Sequence, residues 1–449
     1  MSGPHRNQRR VAVVGSGISG LAAAWHLADA AHVTLLEADS HFGGHAHTVD
    51  VTLDGVTHGV DTGFLVFNHA TYPHLRQLFA DLGVATAPSE MSFSVQVPHG
   101  DGRPGLEWSG CNLNTVFAQR RNLLSPRFLG MLRDLLRFNR VTTQIAEAQQ
   151  EAALQQPIGD FLAERGFSNA FRDWYLLPML GCIWSCPTDQ MLRFPVATMI
   201  RFCHNHGLIR VTDRPQWYTV RGGSRHYVQR MLQRIPDTRL NTPVRAVRRV
   251  PAGSGSAGVW IDTDHGSEAF DAVVLAGHSD QSLALLGTQA SADERAVLGA
   301  IGYHRNRAVL HTDASVLPTR PKAWAAWNYL RAPAHAQEQS AVCLHYLINR
   351  LQPLPWQQPV VVSLNPTRDP APAKVVGEYD YAHPVFDMAA IAAQARVPQI
   401  QGGGNVWFAG AWTRYGFHED GLMSGMAAAQ ALRARWAADA HGAPAQAAA

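Results

Sequence analysis

Two short stretches, one near each end of the chain, carry residue types whose spacing could do chemistry. The first is Gly15, Gly17 and Gly20 with Glu37 beyond them, in RVAVVGSGISGLAAAWHLADAAHVTLLE. Gly15 makes a turn, Gly17 lets a pyrophosphate approach the backbone, and Gly20 allows a helix to lie close on a sheet. A carboxylate at the position of Glu37 can accept from ribose hydroxyls, so the set reads as a dinucleotide site. The second is the run His418, Glu419, Asp420 in GFHEDG. Neighbouring carboxylates raise one another's pKa and an imidazole takes a proton near neutrality, which makes the run a candidate catalytic base or proton relay. The competing reading is that Glu419 and Asp420 cap the helix that follows, whose N-terminus welcomes carboxylates. The sequence leaves both open.

The elements that must position these residues follow from hydrophobic spacing. Val11 to Val14 is an apolar run that stops at Gly15; Leu21, Ala24 and Leu27 recur at helical spacing; Val33 to Leu36 is a second apolar run ending in Glu37. This is strand, glycine turn, helix, strand, with the helix N-terminus turned to the phosphates. Alternation on either side of Asp54-Gly55 predicts a hairpin. Leu75, Leu78, Phe79 and Leu82 predict a helix that stops at Gly83. From about 114 to 180 the pattern is mostly helical and rich in large apolar residues. Within it, Leu123, Leu124, Phe128, Leu132, Leu135 and Leu136 interleave with Arg127, Arg133, Arg137 and Arg140. That helix could rest on anionic lipid, or be a helix with one core face and solvated arginines. FDAVVLAG is continuous and apolar, as a strand buried on both faces should be, and is expected to rejoin the parallel sheet. AVLHT, AWNYL, VCLHYLI and PVVVSL suggest a second sheet outside the nucleotide fold, and NVWFAG with the apolar helix from Gly421 to Arg433 returns to strand and helix. The last residues, 441–449, are low-complexity and expected to be disordered.

Composition bounds the function. The chain has 449 residues and a net charge of +3, with no basic run of the kind that binds nucleic acid. Five cysteines, odd in number and without paired spacing, argue against a disulfide framework and for a reduced, cytoplasmic setting. No apolar signal region and no stretch of 18 apolar residues is present. Cys203 to His206 spells CHNH, but four adjacent candidates cannot converge on one ion, and no metal site is expected. His278 and Asp280 follow the AVVLAG run at the carboxyl end of a strand, where cofactor contact and a plain loop are equally open.

The chain resembles the flavin-containing amine oxidase superfamily, which includes protoporphyrinogen oxidase and phytoene desaturase. The shared pieces run from end to end: the opening glycines, the Glu37 loop with Gly43-Gly44, Asp61-Thr62-Gly63, Arg221-Gly222-Gly223, Asp271 to Gly277, and VWFAGAWTRYGFHEDGLMSGMAAA. More narrowly, FGGHAHT, VDTGFLVFN, CIWSCP and GFHEDG resemble bacterial NAD/FAD-binding proteins related to the N-terminal domain of plant cyclopropane fatty acid synthases. The resemblance implies an α/β fold in which a Rossmann-like FAD-binding domain, a parallel sheet with helices, is interleaved with an α+β substrate domain. The FAD-binding domain would comprise residues 1–75, 215–295 and 396–440; the substrate domain, 76–214 and 296–395. FAD is the implied cofactor, contacted by Gly15, Gly17, Ser19, Gly20, Glu37, Ala38, Gly43, Gly44, His45, Gly63, Val244, Gly277, Gly410, Gly421 and Leu422.

The departures from the superfamily pattern matter. His45 stands where members commonly have Arg, Ala411 and Trp412 follow Gly410 where members often have an acid, and the same alignment places His418 where amine oxidases have an aromatic cage residue. The only lysines, Lys322 and Lys374, lie outside any segment matching the lysine that amine-oxidising members keep near the flavin. The resemblance therefore implies an FAD-dependent oxidoreductase that removes hydride from a hydrophobic substrate, with desaturation of a modified, phospholipid-borne fatty acyl chain as the leading expectation. Amine or porphyrinogen-type oxidation is the alternative, as is a non-catalytic FAD-bound partner of a lipid methyltransferase. Peripheral contact with the inner face of a membrane is a further expectation.

Overall fold

The computed structural model describes residues 8–98, 105–150, 154, 156–210, 213–250, 258–331 and 342–441. Nearly all of the PAGSGSAG turn and of the low-complexity tail therefore lies outside the described residues.

The opening stretch folds as its spacing predicts. Strand β1 (Arg10–Val14) leads through the glycine turn into helix α1 (Ile18–Leu27) and strand β2 (His32–Leu36). Helix α2 (Pro73–Asp81) and the long helix α3 (Pro126–Glu147) follow. Strands β3 (Asp237–Arg239), β4 (Ala272–Leu275) and β5 (Val406–Phe408) come much later, and helix α4 (His418–Ala440) ends the fold. The five strands form one sheet in the order β3-β2-β1-β4-β5, every pair parallel. All four residues of β4 are buried, because both faces of the parallel sheet are covered: α1 packs on one, and Val247, Val259 and Ile261 of a three-stranded antiparallel sheet pack on the other.

Why α1 lies so close to this sheet and to α4 is visible at two glycines. A Cβ on Gly20 would sit 1.8 Å from the Gly15 carbonyl oxygen, and one on Gly425 would sit 2.1 Å from the Ser19 carbonyl oxygen. No side chain larger than hydrogen fits either position. In the predicted hairpin, Thr48–Leu53 pairs with Val56–Asp61, and Asp54 and Gly55 both take positive φ, as the tightest hairpin turns demand.

The second sheet has seven strands: Val375–Val385, Gly302–His311, Val361–Leu364, Cys343–Leu347, Trp327–Leu330, Phe93–Val97 and Leu106–Ser109, in that order. Only the Trp327–Leu330/Phe93–Val97 pair is parallel. A smaller sheet joins Phe67–Asn68, Trp217–Val220 and Thr86–Ser89. It takes strands from both sides of the expected boundary at residues 75 and 76. Among the described residues no helix is long and apolar enough to cross a membrane, and all five cysteines are free thiols, four of them buried.

Candidate functional site

One cavity of about 410 Å³ runs from the N-terminus of α1 to the apolar wall beneath the second sheet. At its polar end α1 begins at Gly17 with no side-chain cap, so its first-turn N–H groups stay available to a ligand. Gly15 has φ +97°, the left-handed region that glycine tolerates. A Cβ built on Gly17 would meet nothing within 4 Å, whereas one on Gly44 would lie 3.1 Å from the Gly17 Cα. The Gly43-Gly44 turn is thus pressed against the head of α1, and the open space lies over Gly17. Glu37 lines this end, but its carboxylate is already engaged: Oε2 accepts from the Ser16 amide (2.8 Å) and hydroxyl (2.5 Å), and Oε1 from the Asp39 amide (3.0 Å). Its unused lone pairs remain for a ribose.

The Asp61-Thr62-Gly63 and Arg221-Gly222-Gly223 motifs are scaffolding for that turn. Buried Asp61 accepts from the Ser224 amide (2.9 Å) and hydroxyl (2.8 Å), the Thr48 hydroxyl (2.5 Å) and the Gln352 amide group (2.9 Å). Burial nevertheless dominates and raises its pKa to about 6. Gly63 also lines the cavity; a Cβ there would lie 2.3 Å from the His45 carbonyl oxygen.

His45 lines the cavity, half-buried, and its buried Nε2 has no hydrogen-bond partner among the described residues. Its ring lies 5.4 Å from His383 and 6.4 Å from His278. Burial first, then the neighbouring histidines, pushes its pKa well below the usual value; burial likewise takes His383 to about 4 and lowers His278. His278 stacks on Tyr303 (4.4 Å), while Asp280 stays at the surface at the head of the following helix. These imidazoles are neutral and supply hydrogen bonds. An orphaned buried ring nitrogen, which in the Nε2–H tautomer is a donor, a helix N-terminus without a cap and the space over Gly17 together fit the diphosphate of FAD. The residues that would hold it are Gly15, Gly17, Ser19, Gly43, Gly44 and His45, with Glu37 toward the ribose and Gly63, Gly277 and Gly410 along the remaining wall.

The other expected contacts are placed elsewhere. Gly20, Ala38, Val244, Gly421 and Leu422 do not line the cavity. Val244 opens a strand whose lead-in is tied to the Glu37 segment by Thr242 N to Glu37 O (2.8 Å). Gly421 serves packing, since a Cβ there would lie 2.8 Å from the Ile18 side chain.

His418, Glu419 and Asp420 are split by the first turn of α4. Only His418 reaches the cavity. The Glu419 carboxylate points away, accepting from the His74 amide (2.8 Å) and the Leu75 amide (2.9 Å), and it meets the His74 ring at 2.8 Å; it caps α2. Asp420 accepts from the Phe417 amide (3.0 Å) and closes the head of its own helix, with burial lifting its pKa to about 6. His418 stacks on Phe64 (3.8 Å between centroids, 12° apart), and its Nε2 lies 2.6 Å from the Tyr227 hydroxyl. Burial takes His418 to about 3, so it is neutral at physiological pH.

Beyond His418 the wall turns apolar, with Met91, Trp184, Phe202, Leu208, Trp217 and Tyr346. Trp184 ends a helical segment that contains a π-turn over Arg172–Leu176, and the next residue, Ser185, adopts φ +52°. Such local irregularities gather at functional sites. A second cavity of about 670 Å³ continues from here, sharing Met91, Cys182, Leu208, Trp217 and Trp327 with the first and reaching the surface beside Arg214 and Gln216.

Several cavity residues carried no signal in the sequence. Tyr303 gave none, Phe64 entered only as a member of VDTGFLVFN with no role, and Tyr227, which braces His418 from behind the wall, gave none. The strand Val375–Val385, which brings Tyr381 and His383, lies 330 residues or more from His45, and no local spacing announces it.

The sequence profile of a family described as flavin containing amine oxidoreductase matches residues 18–303. No curated protein sequence matches the chain. Among solved structures, the fold is similar to that of a CLA-producing fatty acid isomerase from P. acnes (TM-score 0.63, 16% identity, covering 97% of this chain and 100% of that one). It is similar also to cyclohexylamine oxidase from Brevibacterium oxydans IH-35A (TM-score 0.65, 17% identity, 96% and 100%) and to putrescine oxidase bound to putrescine (TM-score 0.63, 17% identity, 96% and 100%). At these identities the likeness is one of fold.

Proposed function

Because the chain belongs to the flavin containing amine oxidoreductase family and is an FAD-dependent oxidoreductase, we propose that its substrate is a long apolar molecule, a fatty acyl chain, oxidised at carbon to an alkene. The observation that carries this reading is the apolar wall beyond His418, from which the second cavity leads to the surface past a polar mouth with Glu90, Arg214 and Arg350. An amine would need a counter-charge near the reacting end. Among the described residues the first cavity's wall has one carboxylate, Glu37, held by Ser16 at the far end; Glu90 in the second cavity is paired with Arg350 (2.9 Å), and neither lysine lines either cavity. Lys374 is instead paired with Asp313 (3.2 Å). The narrower resemblance to cyclopropane fatty acid synthase relatives adds modified acyl chains to the substrates worth assaying, and a fatty acid isomerase shares the fold.

FAD, when bound, supplies the hydride acceptor; the protein must supply orientation, exclusion of water and a place for a proton. The aromatic wall orients an acyl chain and keeps water out. Two imidazoles, His418 and His206, line the apolar end; His206 faces Phe202 and Trp217, whereas His418 lies nearer the polar end, and in the tautomer whose Nε2–H donates to Tyr227 its Nδ1 is the basic atom. With a pKa of about 3 it is a weak base. That suffices only for a C–H already made strongly acidic by electron loss at the next carbon, which is the proton a desaturation releases.

The test is anaerobic bleaching of the flavin, after the bound nucleotide has been identified by denaturation. Fatty acids and acyl phospholipids should reduce it and His418→Ala should slow that reduction at least about tenfold. Bleaching by amines or a porphyrinogen, with acyl substrates inert, would refute the proposal.

A further inference from the structure

Five of the nine large hydrophobic side chains exposed among the described residues lie between residues 113 and 136. Leu113 is 78% exposed and Leu124 88%, and Leu123, Leu129 and Leu136 accompany them. They belong to one continuous piece of chain. Leu123 and Leu124 sit on the turn of helix that precedes α3, and Leu129 and Leu136 stand on α3 itself. The inner face of α3 is fully used, with Phe128, Met131, Phe138 and Thr142 buried. Its outer face reads Leu129, Arg133, Leu136, Arg140, all exposed and at helical spacing. A stripe of leucine on the solvent side of a helix whose core side is already complete has no role in folding this chain.

The charge around the stripe is as uneven as its hydrophobicity. Residues 113–140 contain six arginines and a single carboxylate, a net charge of +5, where the whole chain carries +3. That carboxylate, Asp134, is buried, accepting from the Ser168 amide (3.0 Å) and facing Arg137 (3.4 Å). Arg137 is turned inward as well, donating to the Arg165 and Gly166 carbonyls. Arg133 and Arg140 form no ion pair among the described residues. Over residues 113–140 the exposed surface is therefore leucine flanked by cations, and the one exposed acid of α3, Glu147, closes the helix two turns beyond Arg140. A second copy of this chain is a poor occupant, because apposing two such faces would bring like charges together.

We propose that this surface, formed by residues 113–140, docks the protein on an anionic lipid bilayer. Leu124 and Leu129 enter the boundary between headgroups and acyl chains, and Arg133 and Arg140 lie along the surface with their guanidinium groups at the phosphates. The assignment rests on this face alone and does not depend on the substrate proposed above.

The experiment is sedimentation of the FAD-loaded protein with vesicles of equal parts phosphatidylcholine and phosphatidylglycerol, and with vesicles of phosphatidylcholine alone. Binding is expected only to the anionic vesicles and should weaken as salt is raised. Arg133→Glu with Arg140→Glu should weaken it by roughly tenfold or more, and Leu124→Ser with Leu129→Ser should also reduce it. These positions are exposed, so the variants' unchanged melting temperature and flavin spectrum serve as the folding control. Failure to bind anionic vesicles, or equal binding by the arginine variant, overturns the proposal. So does a concentration-dependent dimer in the ultracentrifuge that Leu124→Ser dissolves, since the face would then belong to a second copy.

Discussion

Replacing Glu419 separates a structural carboxylate from a catalytic one. Its side chain is almost wholly buried and accepts two backbone N–H groups at the first turn of α2, from His74 and Leu75. A hydrogen bond to a charged group contributes about 1.5 kcal/mol or more, and a carboxylate at a helix N-terminus adds a fraction of that. The contact with the His74 ring is half in solvent and adds little. Glu419→Ala should therefore cost about 3 kcal/mol. With an unfolding entropy near 2 cal/mol/K per residue, that lowers the melting temperature by on the order of 3 °C. Glu419→Gln keeps one acceptor oxygen and should lose about half as much. Thermal unfolding followed by circular dichroism reads the stability, and stopped-flow flavin reduction reads the chemistry on the same preparations. The reduction rate of folded Glu419→Ala should stay within about twofold of the parent, because the side chain does not reach the cavity. A tenfold slower reduction with an unchanged melting temperature would refute this reasoning and return Glu419 to the reacting site.

Further predictions follow from the same geometry. Gly17→Glu places a carboxylate in the open space over the helix N-terminus, so the protein should fold with an unchanged melting temperature as apoprotein yet purify colourless; a yellow preparation would show that the diphosphate does not sit there. Gly20→Ala drives a Cβ to 1.8 Å from the Gly15 carbonyl and should destabilise the fold by roughly 2 kcal/mol or more, read as a lower denaturant midpoint. His206, His311, His345, His383 and His418 are held by burial near pKa 3 to 4. Unfolding would let each take a proton at about 6.5, so their contribution to stability is complete above that pH and lost as pH falls toward 4. Urea midpoints should drop steeply between about pH 6.5 and about pH 5, and a flat profile would contradict the burial of these rings.

The features legible in the amino-acid order are those governed by local rules. Gly15, Gly17 and Gly20 dictate a strand, a turn and a helix because their tasks are set within a few bonds, and the apolar run of Ala272–Leu275 dictates a strand covered on both faces. Asp54-Gly55 dictated its hairpin for the same reason. The run at 418–420 shows where local rules stop. Three adjacent titratable residues on a helix point in three directions about 100° apart. Which of them meets the cavity depends on where α4 lies against α1 and α2, and that is set by Gly425 and by the distant amides of His74 and Leu75. Tertiary packing alone gave Glu419 to α2, kept Asp420 at its own helix head and left His418 on the wall against Phe64 and Tyr227. It also assembled the neutral histidines 45, 278 and 383 from three distant segments, because burial and ring contacts act through space and leave no period in the chain.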